Sequence, residues 1–377
     1  MGQSRRKHGK VRTTRPAVSG RDGFADGLRE GLRQGEAYGY HVGACARICQ
    51  TIPQDGRAMR DVRVFYVKEG FASLDRGIIH ALQKLVREVV PLHEADDAAG
   101  LALRHRPDLV LVLNGTRFPV SQADALRAQG IRVALWLVDD PYHTDLSSVT
   151  APHYDIVFTH ELGCVEFYRQ LGCPQVHYMP LAAGPETYFP RRVDAEYRTD
   201  ICFIGNAFRN RLAFIDEIAP FLADKKVLIA GWWWDRLSRF ELLRDKIRLN
   251  TDWLSPEETC SYYNGAKIVV NLHRADDDPS NFNSRGIAGV SVNPRTYEIG
   301  ACGSFQLSDL RGDTASLYRP GVEIATYSSP AEFISIAAYY LEHEREREGI
   351  ALRGLRRTLE EHTYAKRLDS LLEVALA

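Results

Sequence analysis

The chain has 377 residues, 48 Lys+Arg against 49 Asp+Glu, and 45% hydrophobic residues. This is enough for two domains, it excludes a wholly disordered chain, and its balanced charge excludes a protein given over to coating nucleic acid. The balance is uneven: residues 1–16 carry six basic side chains (Arg5, Arg6, Lys7, Lys10, Arg12, Arg15) and no acid, which leaves 42 basic against 49 acidic residues in an acidic body.

In chain order, glycines recur at 23, 27, 31, 35, 39 and 43. Six helical glycines are costly, so this stretch is either a flexible leader or a helix whose stripe receives another backbone. From residue 61, short apolar runs alternate with amphipathic stretches. Strands are predicted at 62–67, 88–92, 109–113, 133–138, 156–159 and 176–179, with helices at 74–87, 95–104, 121–128 and 162–171. After the turn-rich 180–190 the alternation resumes. Strands are predicted at 201–204, 226–230, 247–249, 268–272, 304–307 and 324–326, and helices at 210–222, 256–263, 294–301, 330–348 and 364–375. The expectation is an arm over 1–58 and two α/β domains, 59–185 and 186–377, each a doubly wound parallel sheet, with ligands at the strand carboxyl ends facing a cleft. The terminal helix is a candidate to pack back on the first domain.

Seven scattered cysteines fit neither a disulfide framework nor a zinc site. No apolar run reaches the ~18–20 residues of a membrane helix, and the basic start has no signal-peptide core. Asn114-Gly115-Thr116 and Arg311-Gly312-Asp313 read as chance matches to glycosylation and adhesion motifs. No G-x-G-x-x-G, P-loop or G-x-S-x-G motif occurs, which argues against dehydrogenase, P-loop nucleotidase and serine hydrolase chemistry.

The stretch 293–309, NPRTYEIGACGSFQLSD, places Pro294 in a first helical turn and Gly303 at a helix end. Free N–H groups beside Arg295 make this start a place for phosphate. Glu298, one turn in, is either a ribose-hydroxyl acceptor or a helix-dipole partner. His273 and Asn271 close a strand at the cleft end. Trp232, Trp233 and Trp234 cannot all face a core, so at least one lies at a loop or interface, with the other two in the core by default; Trp253 is a second stacking candidate. Asp139, Asp140 and His143 follow a strand and are candidates for a general base, or for ordinary turn and capping chemistry. Asp276-Asp277-Asp278 reads as a solvated loop and 342–348 as an exposed helix face.

The 293–309 stretch resembles the C-terminal signature of CgeB-like (spore-maturation type) glycosyltransferases. WLVDDP (136–141), DICFIGNAFRNR (200–211), WLSPEE (253–258), YNGAKIVVNLH (263–273) and PGVEIATYSS (320–329) agree in order, over about residues 60–375. The resemblance implies a GT-B fold of two Rossmann-like domains, acceptor in the first half and nucleotide-sugar donor in the second. It gives Glu298 the ribose, and Arg295 with the amides near Ser291–Asn293 the diphosphate. Gly205 and Asn206 would approach phosphate, and Arg211 would stabilise the leaving diphosphate. Gly70 would admit sugar or acceptor. Retaining relatives often carry a second glutamate eight residues before Glu298; here that position is Val290, so retention or inversion stays open. The expected protein is a cytoplasmic, metal-independent glycosyltransferase without cofactor, in a mother-cell or spore-associated setting, with docking or oligomerisation through 1–58. The alternatives are a nucleotide-sugar epimerase or hydrolase of the same fold, and a non-catalytic sugar-binding or spore-coat assembly protein.

Overall fold

All twelve expected strands form in the computed structural model, which describes residues 20–53, 58–249 and 254–377. The first sheet holds β1 (Arg60–Val67), β2 (Val86–Leu92), β3 (Leu109–Leu113), β4 (Arg132–Leu137), β5 (Ile156–Thr159) and β6 (Val176–Tyr178) in the order β2-β1-β3-β4-β5-β6. The second holds β7 (Thr199–Ile204), β8 (Val227–Gly231), β9 (Ile247–Leu249), β10 (Ala266–Asn271), β11 (Gln306–Asp309) and β12 (Ala325–Tyr327) in the order β12-β11-β10-β7-β8-β9. Every pairing is parallel. The α/β, doubly wound reading of both halves therefore holds.

The strands were legible because parallel strands are covered on both faces and stay apolar throughout. Side chains alternate between two cores: Val64 and Tyr66 of β1, with Leu109, Leu111 and Leu113 of β3, join one, and Phe65, Val67, Val110 and Val112 join the other. The first core continues into the second half through Tyr263, Val269, Tyr297 and Ile299. The terminal helix Tyr364–Ala375 lies against the first sheet: Tyr364 meets Trp136 edge-on at 6.2 Å, and Arg60 pairs with Asp369 at 2.7 Å. Residues 44–377 make one compact unit, distinct from the described residues up to Gly43.

Both sheets reverse their winding once, between β1 and β3 and between β7 and β10. Such switch points open a crevice at the strand carboxyl ends, where ligands of these folds bind.

Three expectations change. The glycine stretch is helical, Gly20–Thr51, yet an added Cβ at Gly27, Gly31, Gly35, Gly39 or Gly43 would meet nothing within 4 Å. The basic tail lies outside the described residues. The helix expected over 330–348 is two, Pro330–Glu342 and Glu344–Glu361, broken where His343 leaves helical geometry and bonds through its ring Nδ1 to the Tyr339 carbonyl at 2.7 Å. The second of these is not a wholly exposed face: Arg347, Ile350, Ala351 and Leu355 are buried.

Candidate functional site

At the switch point of the second sheet, β7 ends in Gly205-Asn206 and β10 in Leu272-His273. Arg211, from helix Arg209–Leu222, spans the gap: its Nε donates to the Leu272 carbonyl at 2.9 Å and its Nη1 to the Asn206 carbonyl at 3.0 Å. Phe203 and Phe208 flank the guanidinium at 5.6 and 5.2 Å. Burial first, then the neighbouring Arg295, lowers its pKa to about 9. A Cβ at Gly205 would stand 3.1 Å from Arg211 and 3.3 Å from Arg295, so the two guanidiniums converge on a strand end that has no side chain. Arg274 and Arg311 complete the group at the ends of β10 and β11. Among the described residues none of these four arginines makes an ion pair, and the Nε atoms of Arg274 and Arg311 are buried without a partner. Asp309, Asp278 and Asp139 act on these charges without closing an ion pair, so positive charge gathers at this strand end.

Around it, β8 is held hard against β7. Gly231, at φ 142°, is required there, because a Cβ would meet the Gly205 carbonyl at 2.2 Å. Asn206 Oδ1 accepts from Trp232 N at 3.2 Å, and Trp234 Nε1 donates to the Gly205 carbonyl at 2.9 Å. Only Trp234 is a core residue, where two had been expected; Trp232 is half-buried and Trp233 is 36% exposed beside Arg236. Trp253 lies outside the described residues.

Glu298, in helix Pro294–Ala301, is enclosed beside Tyr188, Tyr263 and Tyr364. Burial pushes its carboxyl up to about 7, against the pull of Arg295 and a hydrogen bond with Tyr188. Cys260 and Cys302 lie 3.8 Å apart next to it, as free thiols.

The amides that were to hold diphosphate are already engaged. Val290 N and Ser291 N donate to the two Glu161 carboxylate oxygens, each at 3.0 Å, Val292 N donates to Asp313 at 3.0 Å, and Asn293 N donates to His273 Nε2 at 2.9 Å. Ser291 Oγ accepts from Leu162 N at 3.0 Å. The anion reading therefore moves from these amides to the arginines. His273 Nδ1 meets Asp309 at 2.5 Å; since Nε2 accepts from an amide, the ring is the neutral Nδ1–H form, and burial first lowers its pKa. Asn271 exchanges side-chain hydrogen bonds with Asn293, at 3.1 and 2.8 Å, and donates to Thr296 at 3.0 Å. His273 and Asn271, both buried, thus orient the start of the helix that carries Arg295 and Glu298.

The triplet 276–278 is not a solvated run. Asp278 is buried and accepts from Arg209 N at 2.8 Å and Ser280, Asp277 pairs with Arg209, and Asp276 accepts from Gly289 N at 3.0 Å. The loop that follows docks on the first half: Phe282 and Tyr142 bond at 2.8 Å, and Ser284 Oγ donates to Asp145 at 2.7 Å.

The switch point of the first sheet holds the second group. Asp140, preceding the cis peptide to Pro141, is 2% exposed and accepts from Thr159 at 2.6 Å and Tyr168 at 2.8 Å, and burial raises it to about 6. Enclosed and doubly bonded, Asp140 is a poor base. Asp139 points the other way, accepting from Asn114 Nδ2 at 2.8 Å. His143 is half-buried, packs its ring on Phe282 at 5.7 Å, and has its pKa lowered by burial, against the nearby Asp139 and together with Arg274. Glu69, missed in the sequence, sits at the end of β1; burial raises it to about 7, with Asp139 adding to the rise and Thr116 and Arg117 opposing it. Its one signal was the adjacent Gly70, at φ 96°.

Two parallel six-stranded sheets, each with a single reversal, define the class: the fold is that of GT-B glycosyltransferases. Sucrose-phosphate synthase of Thermosynechococcus elongatus is similar in structure (TM-score 0.58, 10% identity, 83% of this chain and 98% of that one). So is Anabaena HepE in complex with UDP and glucose (TM-score 0.58, 10% identity, 83% and 99%). Residues 209–373 match a family model described as glycosyl transferase-like. The spore protein CgeB of Bacillus subtilis is 27% identical over 321 residues, 84% of this chain and 99% of its own. The resemblance to CgeB-like glycosyltransferases therefore extends over most of the chain.

Proposed function

We propose that this protein transfers a sugar from a nucleoside-diphosphate sugar to a hydroxyl acceptor, without a metal. The observation that carries the reading is the convergence of Arg211 and Arg295, neither in an ion pair among the described residues, on the Gly205 strand end. Arg211 and Arg295 hold the diphosphate, Glu298 takes the ribose hydroxyls, and Trp232 or Trp233 lies under the base. His143, neutral at pH 7 because burial lowers its pKa, takes the acceptor proton as the acceptor oxygen bonds the anomeric carbon, and the bond to diphosphate breaks. The arginines neutralise the charge that develops on the leaving group. That HepE is seen with UDP and glucose supports uridine as the first base to test, and the likeness to a spore protein supports spore-surface glycosylation as the setting.

Isothermal titration with UDP, GDP and dTDP, with and without chelator, tests this. One member should bind whether or not chelator is present, and Arg295→Ala should weaken it by about 2 kcal/mol, a charge-assisted contact. Binding by none overturns the donor site; binding only with added divalent ion overturns metal independence. Product analysis with the binding nucleotide's sugar, with and without acceptor, separates transfer from hydrolysis.

A further inference from the structure

Four arginines are more than one diphosphate needs. We infer that Arg274 and Arg311 form a second anion subsite, which takes a phosphate or carboxylate group carried by the acceptor. This rests on the donor site proposed above and extends it.

The four arginines divide by what they touch. Arg211 and Arg295 converge on Gly205, and Arg295 neighbours Glu298. Two positive charges there match the two negative charges of a diphosphodiester. Arg274 and Arg311 are instead tied to each other and to the first half. The Arg274 carbonyl accepts from Arg311 Nη2 at 3.2 Å and from the Tyr142 hydroxyl at 3.0 Å. The Arg274 guanidinium packs on Tyr142 at 5.0 Å and Phe208 at 4.1 Å and lies near Asp139 and His143, the proposed base group. Arg311 Nη2 reaches toward Gly289, where a Cβ would stand 3.5 Å from it and 3.5 Å from Pro141.

Each guanidinium is only partly satisfied. Arg274 Nη2 donates to Ser280 at 2.9 Å and Arg311 Nη2 to the Arg274 carbonyl, but both Nε atoms are buried without a partner. No carboxylate of the described residues pairs with either. Both cations face Tyr142, and the acids that act on them, Asp278 and Asp139 on Arg274 and Asp309 on Arg311, stand beyond ion-pair distance; the planar fork of arginine suits the paired oxygens of phosphate or carboxylate. Their place beside His143 puts that anion on the molecule whose hydroxyl is deprotonated.

The test titrates glucose 6-phosphate, glucuronate and glucose into the full chain, alone and saturated with the nucleoside diphosphate that binds best. A subsite of this kind binds glucose 6-phosphate or glucuronate with the nucleotide present, and glucose at least about tenfold more weakly; the stronger of the two acids identifies the group as phosphate or carboxylate. Arg311→Gln and Arg274→Gln should each weaken the acid about tenfold and leave nucleotide affinity within about twofold, with Arg311→Lys retaining part of the binding. Unchanged thermal melting shows that the variants fold. Competition between acid and nucleotide, or loss of nucleotide affinity in Arg311→Gln equal to that in Arg295→Gln, would overturn the assignment, as would equal binding of glucose. If no nucleotide binds the wild type, the donor reading fails by itself, while the titrations without nucleotide still report on Arg274 and Arg311.

Discussion

Glu298 shows what a buried carboxyl costs the fold. Burial raises its carboxyl from 4.5 to about 7, so between those values the folded chain holds a proton that the unfolded chain has lost. Its contribution to stability therefore falls as pH rises through that window and is fully lost above it. Glu298→Gln should raise the melting temperature at pH 8, by up to about 3 kcal/mol of stability, and leave it nearly unchanged at pH 4.5. Equal effects at both pH values would show that the carboxyl is not raised. His143 has the opposite task. Its lowered pKa places the acid limb of kcat/KM below pH 6.5, and His143→Ala should lower kcat by about 100-fold or more with nucleotide affinity unchanged. At this scale Arg211, Arg295, Glu298 and His143 could be named as candidates, since each follows a strand end or lies near the start of a helix and three of them lie in segments that carry the family resemblance. Glu69 and Glu161 were invisible, because their roles depend on partners far away in the chain.

Elements were read best where both sequence faces agree. All-apolar β3 and its neighbours could be nothing but buried parallel strands, and the Asn293-Pro294 start of the site helix carries its own cap, with Asn293 accepting from Thr296 N. The break at His343 rests on a ring-to-carbonyl bond that no periodicity encodes. The loop after β10 was misread because its acids bond to backbone amides and to Arg209, contacts that a composition of Asp, Asn and Ser does not reveal. Gly231 and the arm glycines make a useful contrast. Gly231→Ala should cost stability and abolish nucleotide binding, since the side chain would strike Gly205 beside the arginines. Alanines at Gly31, Gly35 and Gly39 meet open space and should increase helicity, each by up to about 1 kcal/mol. Lower helicity by circular dichroism would mean that another backbone packs on the stripe.

Across the whole molecule, the Glu161 carboxylate joins β5 of one half to the backbone at 290–291 of the other, also accepting from Gly163 N at 3.0 Å. With Asp145 on Ser284 and Tyr142 on Arg274, it ties the segment from 274 to 291 to the first sheet, while Asp278 and Asp277 on Arg209 tie the same segment to the second. Amide hydrogen exchange should be slow at Val290 and Ser291, and faster in Glu161→Gln, which keeps the shape and loses the charge. Unaltered exchange would mean that the carboxylate is not what holds the segment. If the two sheets move apart to admit a donor, this segment is pulled from both sides, and either its grip on Glu161 and Asp145 or its grip on Arg209 must let go. Which set of contacts yields decides which sheet the segment follows.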